Sequence, residues 1–419
     1  MIQGLQIEGA MAAIQSNIFA RRRVAGSRWK AAITFLVVAV AAPLWAQQSR
    51  VFREGNAWIE ETTGTMPPGR EVRINTDMGS IQVQGSSPNV TYVIRKRCFA
   101  GSEEAARQQF QQLRISVVKT GKRDSIEGRL LNRNLNRFNA EFVVQVPREL
   151  ELVQVETRGG ALSLNSITAK IQGATGGGAI KLDDLGGPVE IATSGGNVEG
   201  GNLGADFTLS SGGGDVHINN IGGQARVTVG GGRVYIGTAK GSTVTTGGGG
   251  IEVRKCDGDL RARSDGGNLN FGDVSGAVQA DTGGGSVRLA SANGRVKVST
   301  GGGSVELYNL GQGAQVETGA GPITVEFVSN HGVFTDSSLH TAAGDVSVCL
   351  PRNLPVTVHA SSDMTNGRGI VSDFPGLTIT TSGGNYGPKA MYAEGALNGG
   401  GPMLRVRTTM GQIAFRQCH

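Results

Sequence analysis

Aromatic residues make up only 5% of this 419-residue chain, too few to anchor the two or three ordinary globular cores that its length would allow. Cysteine is scarce too: Cys98, Cys256, Cys349 and Cys418 form no C-x-x-C pair and no Cys/His cluster, which leaves no zinc ligand set. Two catalytic signatures are missing as well. No glycine cluster is followed by Lys-Ser/Thr and a helical pattern, so there is no phosphate loop, and no G-x-S-x-G elbow offers a serine nucleophile. What the chain has in quantity is glycine, 67 residues. With 38% hydrophobic residues, and Val, Ile and Leu spaced regularly among the glycines, the composition points to a repeat and away from disorder.

Residues 1–46 read as a targeting segment: Arg21, Arg22, Arg23, Arg28 and Lys30 precede an apolar run from Ala31 to Trp45, with cleavage expected after Ala46. The run of about 15 residues falls short of the roughly 20 that a spanning helix needs, so export with removal is preferred to a retained membrane anchor. Leu44 is larger than the residue usual at such a site, and the lead before Arg21 is long, which makes Met11 an alternative start. No cysteine follows the run, against a lipid-anchored lipoprotein. Without residues 1–46 the formal charge falls from +6 to +2, because five basic side chains and Glu8 go with them. A nearly neutral chain with interspersed signs gives no basis for binding nucleic acid.

A Thr or Ser just before a glycine cluster recurs at Thr157, Thr175, Thr193, Ser211, Thr246, Ser264, Thr282, Thr300 and Thr318, with Val229 in the one gap. The spacing is 18 residues except for a single step of 17 between Val229 and Thr246. Five residues after each marker stands an aliphatic residue, from Leu162 to Ile323, and two further on a second apolar column runs from Leu164 to Val325, broken only by Gly200. Between the two lies a polar or variable column: Ser163, Lys181, Glu199, His217, Tyr235, Glu252, Asn270, Arg288, Glu306 and Thr324. The same alternation precedes the marker, as in Val153/Val155, Val189/Ile191 and Val296/Val298, with Gln154, Glu190 and Lys297 between. A further column, from Ile167 through Cys256 to Val328, closes the interior.

Alternation of period two is the mark of a strand with one face buried. Each coil therefore supplies two short strands that cannot bury a core alone, while stacking pairs every strand with those above and below. The expected fold is all-β, a parallel β-solenoid (β-helix) of 18-residue coils. Burial of four or five aliphatic side chains per coil, at about 1.5–3 kcal/mol each, supplies the drive, offset by backbone entropy. Glycine clusters such as Gly283 to Gly285 are expected to turn tight corners through positive φ, and the preceding hydroxyls to run as a ladder along the corner. A calcium-binding β-roll needs an Asp at a fixed place in each half coil. Here Ala179, Asn197, Asp215, Arg233, Gly250, Asn268, Ser286 and Ser304 occupy that place, so no metal or other cofactor is expected.

The four-part organisation expected is a signal peptide at 1–46, an N-terminal β-rich region with a short helix at 47–150, the solenoid core at 151–350, and C-terminal β coils with a cap at 351–419. Strand-like runs occur at Glu71 to Ile74, Ser80 to Val83, Val90 to Arg95, Leu113 to Val118 and Ala140 to Val146, and Thr76 to Val83 looks like a degenerate coil. Ser102 to Leu113 reads as a helix capped by Ser102, with Glu103 and Glu104 in its first turn, placed to cover a solenoid end. After Val328 the spacing stretches, and Pro351, Pro355, Pro375 and Pro388 mark longer coils. The cysteines fit an oxidising compartment. Cys256 and Cys349 stand about five coils, near 24 Å, apart at ~4.8 Å per coil, too far to bridge; if a pair forms, Cys349 with Cys418 is expected.

The T-G-G-G-x-V-x-L coils at Thr282 to Leu289 and Thr300 to Leu307, and the closing runs Gly369 to Pro375, Gly399 to Arg407 and Thr409 to Phe415, resemble a family of bacterial exported proteins of unknown function that carry the label "putative adhesin" for their β-strand repeats. The resemblance covers roughly residues 70–419 and implies a β-solenoid. It brings no catalytic residue to this chain.

The functional expectation is an exported structural or interaction protein of the cell envelope or surface, adhesin-like and without catalytic activity. Its partner would be a surface, a polysaccharide or a protein, with a membrane involved only if the N-terminal segment is retained. One alternative is a carbohydrate-active β-helix enzyme, a lyase or hydrolase. Such an enzyme needs carboxylates within about 5–10 Å, yet Glu199, Glu252 and Glu306 lie three coils, about 14 Å, apart, and Asp183/Asp184 and Asp257/Asp259 sit where carboxylates commonly serve turns. Another alternative is a membrane-anchored envelope sensor. The histidines His217, His331, His340, His359 and His419 form no ligand motif, although His331 and His340 flank the stretched coil. No catalytic, cofactor-binding or metal residue is assigned.

Overall fold

The structure, a computed structural model, describes residues 47–131, 138–329, 334–365, 369–383 and 389–418. The targeting segment, Pro388, His331 and His419 lie outside the described residues. Among the described residues the secondary structure is all β-strand apart from one α-helix, Glu103–Phe110, and the chain divides into two compact units, the second made of residues 163–172 and 177–419.

In the second unit each coil contributes one strand to each of two parallel sheets. One sheet runs from Ile180–Leu185 through Val198–Leu203 and Val216–Ile221 to Ile323–Phe327 and Val346–Pro351. The other runs from Val189–Thr193 through Phe207–Ser211 to Ala314–Ala320 and Ser337–Ala343. Equivalent residues stack in register, as in Val198↔Val216 and Val278↔Val296. The 17-residue step falls in the turn around Lys240, so that Ala225 meets Ser242 and Val234 meets Ile251 without loss of pairing. The aliphatic columns are interior, with Ile180, Val198, Val305 and Ile323 fully buried. Two departures stand out. At Gly200 the Ile218 side chain occupies the room a Cβ would need, and in the coil ending at 327 a register shift places Phe327, not Val328, against Leu310 in the closing column.

The corner glycines answer to a different constraint from the one their sequence suggests. Positive φ occurs at Gly214, Gly232 and Gly321 but not at Gly249, Gly267, Gly285 or Gly303. What those positions share is a collision: a Cβ on Gly285 would meet the Gly267 carbonyl oxygen of the coil before it, and Gly249, Gly267, Gly303 and Gly344 repeat the contact with their own predecessors. The third residue after each marker is the one that never varies, while the second, as at Gly248 or Gly284, faces open space.

The marker hydroxyls use the same carbonyls. Thr282 Oγ1 donates to Gly267 O and Thr300 Oγ1 to Gly285 O, each at 2.9 Å. Each hydroxyl also accepts from the third glycine of its own coil, Gly285 N to Thr282 at 3.3 Å and Gly303 N to Thr300 at 3.2 Å. The ladder therefore ties coil to coil through backbone and leaves a buried hydroxyl satisfied in both roles. Ser211, which is followed by Val229, instead bonds its own turn at Gly213 O.

Beyond Val346–Pro351 the order of coils in space departs from their order in sequence. Strand Ser337–Ala343 pairs next with Met403–Met410, and only then comes Val356–Thr365. On the other sheet Ile413–Cys418 lies between Val346–Pro351 and Ile370–Ser372. The coil 403–418 is thus inserted between two coils that both precede it in the chain. Its interior side chains Leu404, Val406, Ile413 and Phe415 are at most 1% exposed, and the hydroxyl ladder passes through it, Thr408 Oγ1 to Gly344 O and Ser362 Oγ to Gly411 O, each at 2.9 Å. Antiparallel strands Lys389–Leu397 and Thr378–Ser382 then extend the sheet beyond Val356–Thr365. A Cys349–Cys418 disulfide, with Cα atoms 5.5 Å apart, fastens the inserted coil to its neighbour. Cys98 and Cys256 are buried free thiols, both pushed up in pKa by burial.

In the first unit, Glu71–Thr76 and Ser80–Gly85 form the coil read as degenerate, and Thr76 aligns with Thr157. Here too the order is permuted, because Glu71–Thr76 lies between Arg123–Leu130 and Leu152–Thr157. Antiparallel strands close the unit: Leu113–Thr120 on one sheet, and Val90–Cys98, Ala57–Met66 and Gln48–Glu54 on the other. The helix, capped by Ser102 as expected, buries Ala106 and Phe110 against these strands, and Phe110 O accepts a 3.1 Å bond from Lys96 Nζ.

Glu61 joins three of those antiparallel strands. Its side chain is 7% exposed and meets Arg50 at 2.6 Å and Arg95 at 2.8 Å. Arg95 first, then Arg50, holds its carboxyl below the usual carboxylate range, against the opposing effect of burial. A lowered folded-state pKa stabilises above the unfolded-state value and is lost as pH falls through the folded value. Glu61→Gln is expected to lower stability by about 1–3 kcal/mol at neutral pH, and the gap to the native protein should close below about pH 4. Urea titrations of both proteins across pH 3–7 check this; a gap independent of pH would show that the carboxylate charge contributes nothing.

Candidate functional site

The outward column of the first sheet is assembled as expected. His217 and Tyr235 stack on adjacent coils with ring centroids 4.3 Å apart and planes within 9°, and His217 Nε2 lies 3.1 Å from Asn219 Oδ1. Lys181 pairs with Glu199 at 3.5 Å and Arg288 with Glu306 at 3.5 Å. Turn carboxylates serve backbone: Asp183 Oδ1 accepts from Asn202 N at 3.2 Å and Asp259 Oδ1 from Ala277 N at 2.9 Å. Glu199, Glu252 and Glu306 face outward three coils apart, about 14 Å at the coil rise.

A denser grouping lies on the outward face of the second sheet, where the inserted coil enters. The cross-strand row Glu317, His340, Arg407, Ser361, Tyr392 and Thr380 runs beside the row Gln315, Ser338, Arg405, His359, Glu394 and Thr378. Residues in one row are about 4.8 Å apart and the rows about 7 Å apart. Arg405, Arg407, His359, Tyr392 and Glu394 are exposed, and a shallow depression of about 460 Å³ lies over them. Arg407 Nη2 meets Asp363 Oδ2 at 2.9 Å and His359 Nδ1 meets Glu394 Oε1 at 3.4 Å. Arg405 has no acidic partner within ion-pair distance among the described residues.

Sequence reasoning named His340 and His359 only among five histidines that form no motif, and linked His340 with His331, which lies outside the described residues. His340 meets Arg407, 67 residues away, because the inserted coil comes between His340 and His359. The T-M-G-Q-I-A-F ending was the available signal: Thr408 and Gly411 stand three apart like every marker and its third glycine, which marks residues 403–418 as a coil, though not where it docks. No group of three or more His, Cys, Asp or Glu among the described residues is arranged to hold a metal, and no described helix is long and apolar enough to cross a membrane.

No family model matches the chain, and no curated protein matches it. The chain is similar to solved bacterial structures that carry an adhesin name. A "putative cell adhesion protein" from Clostridium sporogenes is 9% identical, with a TM-score of 0.18, over 86% of this chain and 100% of its own. A "putative adhesin" from Parabacteroides distasonis is 11% identical, with a TM-score of 0.25, over 69% of this chain and 96% of its own. One from Parabacteroides merdae is 12% identical, with a TM-score of 0.24, over 69% and 95%. At these values the likeness names neither a ligand nor an activity for this chain.

Proposed function

We propose that the protein is an exported, adhesin-like interaction protein of the cell envelope or surface, without catalytic activity, that engages its partner on a sheet face. The observation that supports this most is the outward face around Arg405, where charged, hydroxyl and aromatic side chains from four neighbouring strands meet over a shallow depression. Paired strands fix the Cα positions of such side chains at set spacings, so no backbone ordering is needed on binding. Export is supported by the basic-then-apolar segment at Arg21 to Trp45 and by the Cys349–Cys418 disulfide, which suits an oxidising compartment.

The test is binding of the purified protein to a panel of neutral and acidic envelope and extracellular polysaccharides, with released sugar ends followed in the same wells. Saturable binding without release is the expected result. Release of reducing or unsaturated ends would overturn the non-catalytic reading in favour of a carbohydrate-active enzyme.

A further inference from the structure

We infer that the face around Arg405 binds a carboxylated saccharide; this rests on the surface-interaction reading above and names the ligand class of that site. Asp363 pairs with Arg407 at 2.9 Å and Glu394 lies 3.4 Å from His359, so Arg405, with no acidic partner within ion-pair distance among the described residues, is the guanidinium of the group left open to a ligand. One planar guanidinium with parallel N–H donors matches one carboxylate through two hydrogen bonds. A sulfate-rich polymer would call for several unpaired cations on adjacent strands, whereas the strands on either side of Arg405 carry Ser338 and His359 in its row.

The groups around Arg405 suit the rest of a sugar. Ser338 and His359 flank it on the neighbouring strands, Ser361 stands one row away, and each offers hydrogen-bonding atoms to hydroxyls. Tyr392 follows Ser361 on the next strand and is 41% exposed, giving an aromatic face for the apolar C–H side of a ring beside a polar tip. Earlier strands of the same sheet carry Arg226, Arg261 and Lys297 in the equivalent outward row, with Thr243 and Gln279 between. Among the described residues none of those rows adds an aromatic ring.

The strand that carries the arginine is also held in place. Strand Met403–Met410 is paired on both sides, with Ser337–Ala343 and with Val356–Thr365, over the buried Leu404, Val406 and Thr408. A strand fixed in this way adds no backbone ordering when the ligand arrives.

Calorimetric titration of the purified full chain with oligogalacturonate, its methyl ester and a sulfated dextran tests the inference. The acid form is expected to bind saturably and the ester at least ten-fold more weakly. Arg405→Gln should cost at least ten-fold and Tyr392→Ala several-fold, with thermal unfolding unchanged, while Arg226→Gln in the equivalent outward row, seven strands away, keeps full affinity. Equal binding of acid and ester, equal or tighter binding of sulfated dextran, or equal losses at Arg405 and Arg226 would each overturn the site. Binding to neutral polysaccharides alone in the panel would overturn the ligand class and leave the surface-interaction reading standing.

Discussion

Gly285→Ala is expected to destabilise the protein by about 3 kcal/mol, the upper end of overpacking costs, while Gly284→Ala one residue earlier is expected to stabilise it slightly. A Cβ on Gly285 meets the Gly267 carbonyl oxygen, which belongs to backbone and already accepts the Thr282 hydroxyl, so neither partner can yield without opening the stack. Gly284 faces open space and its φ is not positive, so an added methyl group mainly reduces the freedom of the unfolded chain, by about 0.4–1 kcal/mol. Urea denaturation midpoints of the two variants decide the matter. Equal midpoints would show that adjacent coils have room to part.

Loss of the Cys349–Cys418 disulfide has the other large expected effect. The bridge closes a segment of 69 residues, for which chain-entropy reasoning gives about 4 kcal/mol. Because each coil of a solenoid is stabilised mainly by its immediate neighbours, the loss should be local. Cys349→Ser with Cys418→Ser, or reduction of the native protein, is expected to make the inserted coil at 403–418 and the strands at 356–397 sensitive to protease while the coils at 180–327 stay resistant. Saccharide affinity should fall with it, since Arg405 and Arg407 both ride on the inserted coil. Mapping the first cleavage sites by mass spectrometry checks this. Unchanged protection of residues 403–418 would mean that strand pairing and the buried Leu404, Val406, Ile413 and Phe415 hold the coil without help.

Five strands and the helix of the N-terminal unit were legible in the sequence, while Gln48–Glu54, Ala57–Met66 and Arg123–Leu130 escaped it for a physical reason. Strand Ala57–Met66 carries Glu60, Glu61, Thr62 and Thr63 in succession, which breaks alternation. Those positions are strand because partners distant in the chain satisfy them, Arg50 and Arg95 for Glu61 and Lys96 for Glu60. Arg123–Leu130 buries Asp124, whose Oδ2 accepts from Gly69 N at 2.5 Å, so an acid stands where an aliphatic would be expected. The site around Arg405 was hidden differently. His340 and His359 were visible as histidines, but only the inserted coil brings Arg405 and Arg407 between them, and residues 352–402 carry no 18-residue period from which to count strands.

The sequence by itself determined the coil: its 18-residue length, which residues face inward, where the corners fall and which hydroxyl marks them. These are local properties repeated at fixed spacing, and a parallel stack in register turns each into a column without further information. Even the one glycine that never varies within a coil could be read from the repeat, although its cause, the carbonyl of the coil before, could not. Only the tertiary structure decided the order of coils at 71–157 and 337–418. Any coil pairs acceptably with any other through backbone hydrogen bonds, so the choice of neighbour rests on how the irregular segments between them pack, and that packing is what sets Arg405 beside His359 and Cys418 beside Cys349.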